Sequence, residues 1–160
     1  MTENDVGHHR RCLLPEGSQS ARLIVYERTG SWALALGREL PAGVRVRPTR
    51  SLAETWEMLA QAPASFLVLE LAARQAEALL GRLFRLDREY PLARAAVVAE
   101  RRLAAYEWLV RQAGAVHFAS SPRHLASLVR VARRHLAAAP QPDRDIRELI
   151  WAGLPWGETD

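Results

Sequence analysis

Four consecutive apolar residues, Phe66-Leu67-Val68-Leu69, lie between Ser65 and Glu70, and this run constrains the chain more than any other stretch. A strand with one wet face alternates polar and apolar residues. An unbroken run is buried on both faces, as in a parallel sheet covered by helices. The turn Gln61-Ala62-Pro63 sets its start, and Glu70 falls at its carboxyl end. Open α/β sheets keep their functional groups at that end.

The segments on either side repeat one pattern of strand, then helix. Arg22-Leu23-Ile24-Val25-Tyr26-Glu27 reads as the first strand, and Thr29 or Ser31 can cap a helix carrying Trp32, Leu36 and Leu40 on one face. Val44-Arg45-Val46-Arg47 alternates, which suits an edge strand. Arg50-Ser51-Leu52-Ala53-Glu54 has capping-box spacing, and the helix it opens runs to the break at Pro63. Gln75 to Tyr90 predicts a long helix with Leu79, Leu80, Leu83, Phe84 and Leu86 on its apolar stripe, stopped by Pro91.

Ala95–Ala99 reads as a fourth strand, Leu103–Gln112 as a helix closed by Gly114, and Ala115–Ala119 as a fifth strand. After Ser120-Ser121-Pro122, a last helix over Arg123–Ala139 is expected to bury Leu125, Leu128, Val129, Ala132 and Leu136. Its exposed face would carry Arg130, Arg133, Arg134 and His135. Five such units predict a doubly wound, three-layer α/β/α sandwich around a five-stranded parallel sheet of order 2-1-3-4-5. Residues 1–20 read as a flexible arm, 21–139 as the α/β domain, and 140–160 as a tail with a short amphipathic helix.

Charge is distributed unevenly. Residues 21–140 hold 18 Arg against 10 acidic residues, whereas residues 141–160 hold two Arg against five. A basic core admits nucleic acid as a rival reading, but the arginines are scattered over helical faces, which suits a solvated surface. No Lys occurs anywhere, which excludes Schiff-base and other Lys chemistry. Cys12 is the single cysteine, so no intrachain disulfide can form, and no metal-ligand spacing is present. The first 20 residues are polar and no run approaches a membrane span, so a cytoplasmic protein without membrane association is expected. Phosphate-loop and dinucleotide fingerprints are missing: the first strand is followed by Arg28-Thr29-Gly30-Ser31.

In element order, length and local signatures, residues 21–139 resemble the receiver domain of bacterial two-component response regulators. Gly114-Ala115, Phe118 and Pro122 stand where that family has its last-strand Gly-Ala, a frequent aromatic and a Pro. The resemblance implies a phosphorylation site of two acidic residues, an Asp acceptor, a Thr or Ser, and a Lys. Here those positions fall on Tyr26 and Glu27, Glu70, Ala99 and Ser121. Only one carboxylate of the pair survives, the acceptor is a methylene longer, and the hydroxyl and the cation are gone. Misplacement by about 1 Å can alone cost about a hundredfold. The expectation is a degenerate, non-catalytic receiver with no cofactor and no metal. Glu70 is read as imitating a phosphorylated state, or as a strand-end group paired with an Arg or solvated.

The function expected is a protein–protein interaction, scaffold or regulatory module. Its partner, or a second copy, would dock on the fourth helix, fifth strand and fifth helix, as the resemblance implies, through Tyr106, Trp108, Arg130 and Arg134. The tail offers another surface, with Leu149, Ile150 and Trp156 as anchors. The rivals are nucleic-acid binding by the basic core and a small-molecule sensor at the strand ends.

Overall fold

The computed structural model describes residues 14, 15 and 17–142. The expectations for the first 13 residues and for the tail, including Leu149, Ile150 and Trp156, lie outside the described residues. Five strands, β1 (Leu23–Tyr26), β2 (Val46–Thr49), β3 (Phe66–Leu71), β4 (Arg94–Ala99) and β5 (His117–Ala119), form one sheet. Its order is β2-β1-β3-β4-β5 and every pairing is parallel, as the alternation of strands and helices predicts. The helices are α1 (Ser31–Glu39), α2 (Leu52–Gln61), α3 (Ala76–Glu89), α4 (Glu107–Gln112) and α5 (Ala126–Ala138).

The period of two along each strand sorts the core into two layers. Ile24, Leu67, Leu69 and Val97 point toward Trp56 and Leu59 of α2, Leu79, Leu83 and Leu86 of α3 and Val110 of α4. Leu23, Val25, Phe66, Val68 and Val98 point the other way, onto Trp32 and Leu36 of α1 and Leu128, Val129 and Ala132 of α5. Every residue of β1 and β3 is buried, which is why these strands read as unbroken apolar runs. Each such Leu or Val contributes about 1.5–3 kcal/mol when fully buried.

Local signals hold at α2: Ser51 Oγ accepts the Glu54 N–H at 3.1 Å, and Glu54 Oε2 accepts the Arg50 N–H at 2.8 Å. Other boundaries move. The second strand covers Val46–Thr49 rather than Val44–Arg47, and it contains Pro48. A proline lacks the ladder N–H, yet β2 is an edge strand, where that loss is tolerated. The last helix begins at Ala126, not Arg123, because the Ser121 carbonyl accepts the His124 N–H at 3.3 Å and closes a turn first. A 3-10 segment, Arg101–Tyr106, takes up the first turn of the helix expected over Leu103–Gln112, and a shorter one, Ala73–Gln75, leads into α3.

Side-chain placements need correction as well. Phe84, expected on the buried stripe of α3, is 60% exposed, because the stripe closes on Leu79, Leu83 and Leu86. His135, expected on the exposed face of α5, is half-buried. Its ring lies 5.4 Å from that of Phe66, and its Nε2–H donates to the Ala64 carbonyl at 2.9 Å.

Candidate functional site

The parallel register brings the ends of β1, β3 and β4 together, with Tyr26 beside Leu69 and Glu70 beside Val98. Glu27, Glu70 and Ala99 therefore meet at one rim of the sheet. Glu27 is fully buried. Its Oε2 accepts the Trp32 N–H at 2.7 Å and its Oε1 accepts the Ala33 N–H at 3.0 Å. Helix α1 has no capping side chain of its own: Gly30 holds the cap position at φ 88°, and the first turn contains no acidic residue. A residue with a Cβ would be strained there. Glu27 reaches forward from the strand end to supply the missing acceptor, and its charge faces the positive end of the helix dipole.

Glu70 is 8% exposed, and its Oε2 accepts the Arg28 N–H at 2.7 Å. This corrects the expectation of a solvated or Arg-paired group: among the described residues no arginine side chain pairs with it, and its partner is backbone. The bond ties the end of β3 to the loop that leaves β1. Tyr26 donates its hydroxyl proton to Gln75 Oε1 at the start of α3. Burial first, and then the charge of Glu70, raise the Tyr26 phenol above its ordinary value, with Arg28 and the Gln75 bond opposing. The phenol therefore stays protonated at neutral pH and acts as a donor. Arg50 also closes over this rim, donating from one guanidinium nitrogen to the Glu27 carbonyl at 3.3 Å.

Ala99 is buried and offers no hydroxyl. Ser121 Oγ accepts the Arg123 N–H at 3.3 Å, within its own turn. Glu100 is exposed and paired with Arg102 at 2.5 Å on the surface. Among the described residues no three His, Cys, Asp or Glu side chains come close enough to share a metal ion. Gln75, Arg50 and the two α1 amides are the participants that the sequence does not reveal. The available hint is a strand-end Glu followed by a glycine with no capping residue in the next turn.

The second candidate surface is at the β5 edge of the sheet. Trp108 of α4 is 71% exposed, whereas Tyr106 is partly buried against the core. Arg130 and Arg134 are exposed on α5. Between these helices, His117 of β5 is half-buried and shares a hydrogen bond of 3.2 Å with Ser127. Burial lowers its pKa, Arg111 adds to the effect and Glu107 opposes it. No described helix is long and apolar enough to cross a membrane.

No family model matches the chain, and no curated protein matches it. Solved structures do. A CheY-like protein, tadZ, from Pseudomonas aeruginosa PAO1 superposes with a TM-score of 0.57 at 17% identity, covering 78% of this chain and 100% of that one. A response regulator from Thermotoga maritima gives 0.53 at 17% identity, covering 74% of this chain and 99% of its own. The protein has the CheY-like fold of response regulators.

Proposed function

We propose that this chain is a receiver-like module that does not accept phosphate and acts by binding other proteins. The engagement of Glu27 and Glu70 with backbone amides carries the reading. A receiver's carboxylates must face the metal and the incoming phosphoryl group. Here the oxygens of Glu27 hold the first turn of α1, and one oxygen of Glu70 holds the Arg28 amide. Mg²⁺ demands near-octahedral oxygen coordination. The second acidic position is Tyr26, a donor to Gln75, and the hydroxyl position is Ala99. This donor set does not fit the ion, and without it the charge building on a transferring phosphoryl group lacks the divalent cation that would neutralise it.

The rim still has a use. Glu70 tethers the β1–α1 loop to β3, and Tyr26 is tied to Gln75 ahead of α3, so the rim is held in one arrangement. Such a domain presents a constant surface to its partner. Trp108 supports this role, because an indole left 71% exposed beside a well-packed core is a characteristic anchor of protein interfaces. Arg130 and Arg134, exposed on α5, supply cations to the same proposed docking face.

Incubation with acetyl phosphate and Mg²⁺, followed by intact mass measurement, tests the first half: the mass should not change. A stoichiometric, Mg²⁺-dependent gain of one phosphoryl group overturns it. For the second half, Trp108→Ala should abolish self-association, or capture of a partner from the native extract, while leaving the thermal melt unchanged. Undiminished capture by Trp108→Ala would remove that face from the proposal.

A further inference from the structure

The amino end of the sheet carries a different kind of site. Residues 19–22, the segment leading into β2 and the last turns of α5 enclose a groove of about 700 Å³. Arg22, Arg45, Arg47 and Arg133 line it, together with the apolar Val44 and Leu136, and among the described residues no carboxylate does. None of these four arginines is in an ion pair among the described residues, whose pairs involve Arg85, Arg94, Arg102 and Arg111. Among the described residues the Arg22 side chain donates only to Gln19. Burial, then the charges of Arg47 and Arg45, lower its pKa, as expected where like charges gather without a counter-charge. A half-apolar groove with four guanidinium groups fits an acidic peptide with large apolar side chains.

We infer that the occupant is this chain's own segment, residues 143–160, docked back into the arginine groove. Three observations select it. Helix α5 ends beside the groove, since Leu136 and Ala137 form part of its wall and the helix stops at Ala138. From Ala137 to Asp143 is six steps of chain, a reach of about 20 Å when extended, enough to turn back into the groove. The segment's charge is complementary, with five acidic residues against two Arg. Its Ile146, Leu149, Ile150 and Trp156 match the apolar part of the lining. The opposite end of the chain is a poorer fit: residues 1–13 hold Glu3 and Asp5 against Arg10 and Arg11, and so bring no net negative charge. This inference stands apart from the fate of phosphate at the opposite rim.

Limited chymotryptic cleavage of the full chain after Trp151 provides the test. Wild type would be compared with a groove variant, Arg45→Glu/Arg47→Glu/Arg133→Glu, and a segment variant, Asp143→Asn/Asp145→Asn/Glu148→Gln. Docking predicts cleavage at least tenfold slower in wild type than in either variant at low salt. The protection should be independent of protein concentration and largely lost at 1 M NaCl, where the Debye length falls to about 3 Å. Equal rates in wild type and the segment variant overturn the inference. Protection that grows with concentration also overturns it, by assigning the groove to the segment of a second copy. Should the groove variant fail to fold, the segment variant decides alone, because it leaves every groove residue in place.

Discussion

The two ends of one sheet treat charge in opposite ways. At the carboxyl end, two buried carboxylates each have a named partner, and every partner is a backbone amide. At the amino end, four arginines share a groove with no acidic residue in its lining among the described residues. Charge bonded to backbone becomes part of the fold, since removing it strands a helix terminus or a loop. Unpaired surface charge is free to serve a ligand, since the fold does not depend on it. The rim that resembles a reactive site is therefore the structural end of this molecule, and the opposite rim is where its unpaired charge gathers among the described residues.

This contrast is most exposed to refutation at Glu27. Replacing it with Ala should cost about 3 kcal/mol, because two charge-assisted hydrogen bonds and a favourable dipole contact are lost together. A urea midpoint within experimental error of wild type would show that the strand-end carboxylate is not structural. Glu70→Ala removes one such bond to a loop amide, so a smaller loss of about 1–2 kcal/mol is expected in the same experiment.

Acidification should have a milder effect, and its sign is fixed by the two half-buried histidines. Burial holds both His135 and His117 below the ordinary value of 6.5. The unfolded chain therefore takes up protons first. Stability is complete above that value and falls as pH drops through it toward the folded values. His135→Gln, whose amide can still donate to the Ala64 carbonyl, should flatten the stability profile between pH 7 and pH 5. An unchanged slope would mean that His135 does not contribute. The smallest effect belongs to the amino end: Arg47→Gln should leave the urea midpoint within about 0.5 kcal/mol of wild type. A large loss there would erase the distinction between the two rims.

Much of the architecture is legible from local signals. Phe66–Leu69 announces a doubly buried strand, and Ser51 with Glu54 announces a helix start, because both depend on neighbours in the chain. The second strand is displaced by two residues because the alternation over Val44–Arg47 is a local pattern, whereas pairing with β1 selects Val46–Thr49. Phe84 and His135 mislead for a related reason. Helical periodicity gives the direction of a side chain, whereas the width of the buried stripe is set by whatever packs against it. The destinations of the carboxylates lie furthest from view. Glu70 meets an amide 42 residues away, so a strand-end acid looks the same in sequence whether it faces a ligand or the backbone. The groove arginines are similarly dispersed, from Arg22 to Arg133, and only the return of α5 alongside α1 and β3 gathers them.

The bond between Glu27 and the start of α1 also sets the direction in which that helix comes apart. First-turn amides ordinarily exchange their hydrogens with water quickly, because no carbonyl precedes them to accept a bond. In α1 the amides of Trp32 and Ala33 are held by a carboxylate that water does not reach. At the other end, Gly37, Arg38 and Glu39 are exposed, and glycine weakens the last turns. Fraying should therefore begin at Glu39 and stop short of Trp32. Deuterium would enter this helix from its carboxyl end alone, leaving its first turn as protected as the strands beneath it.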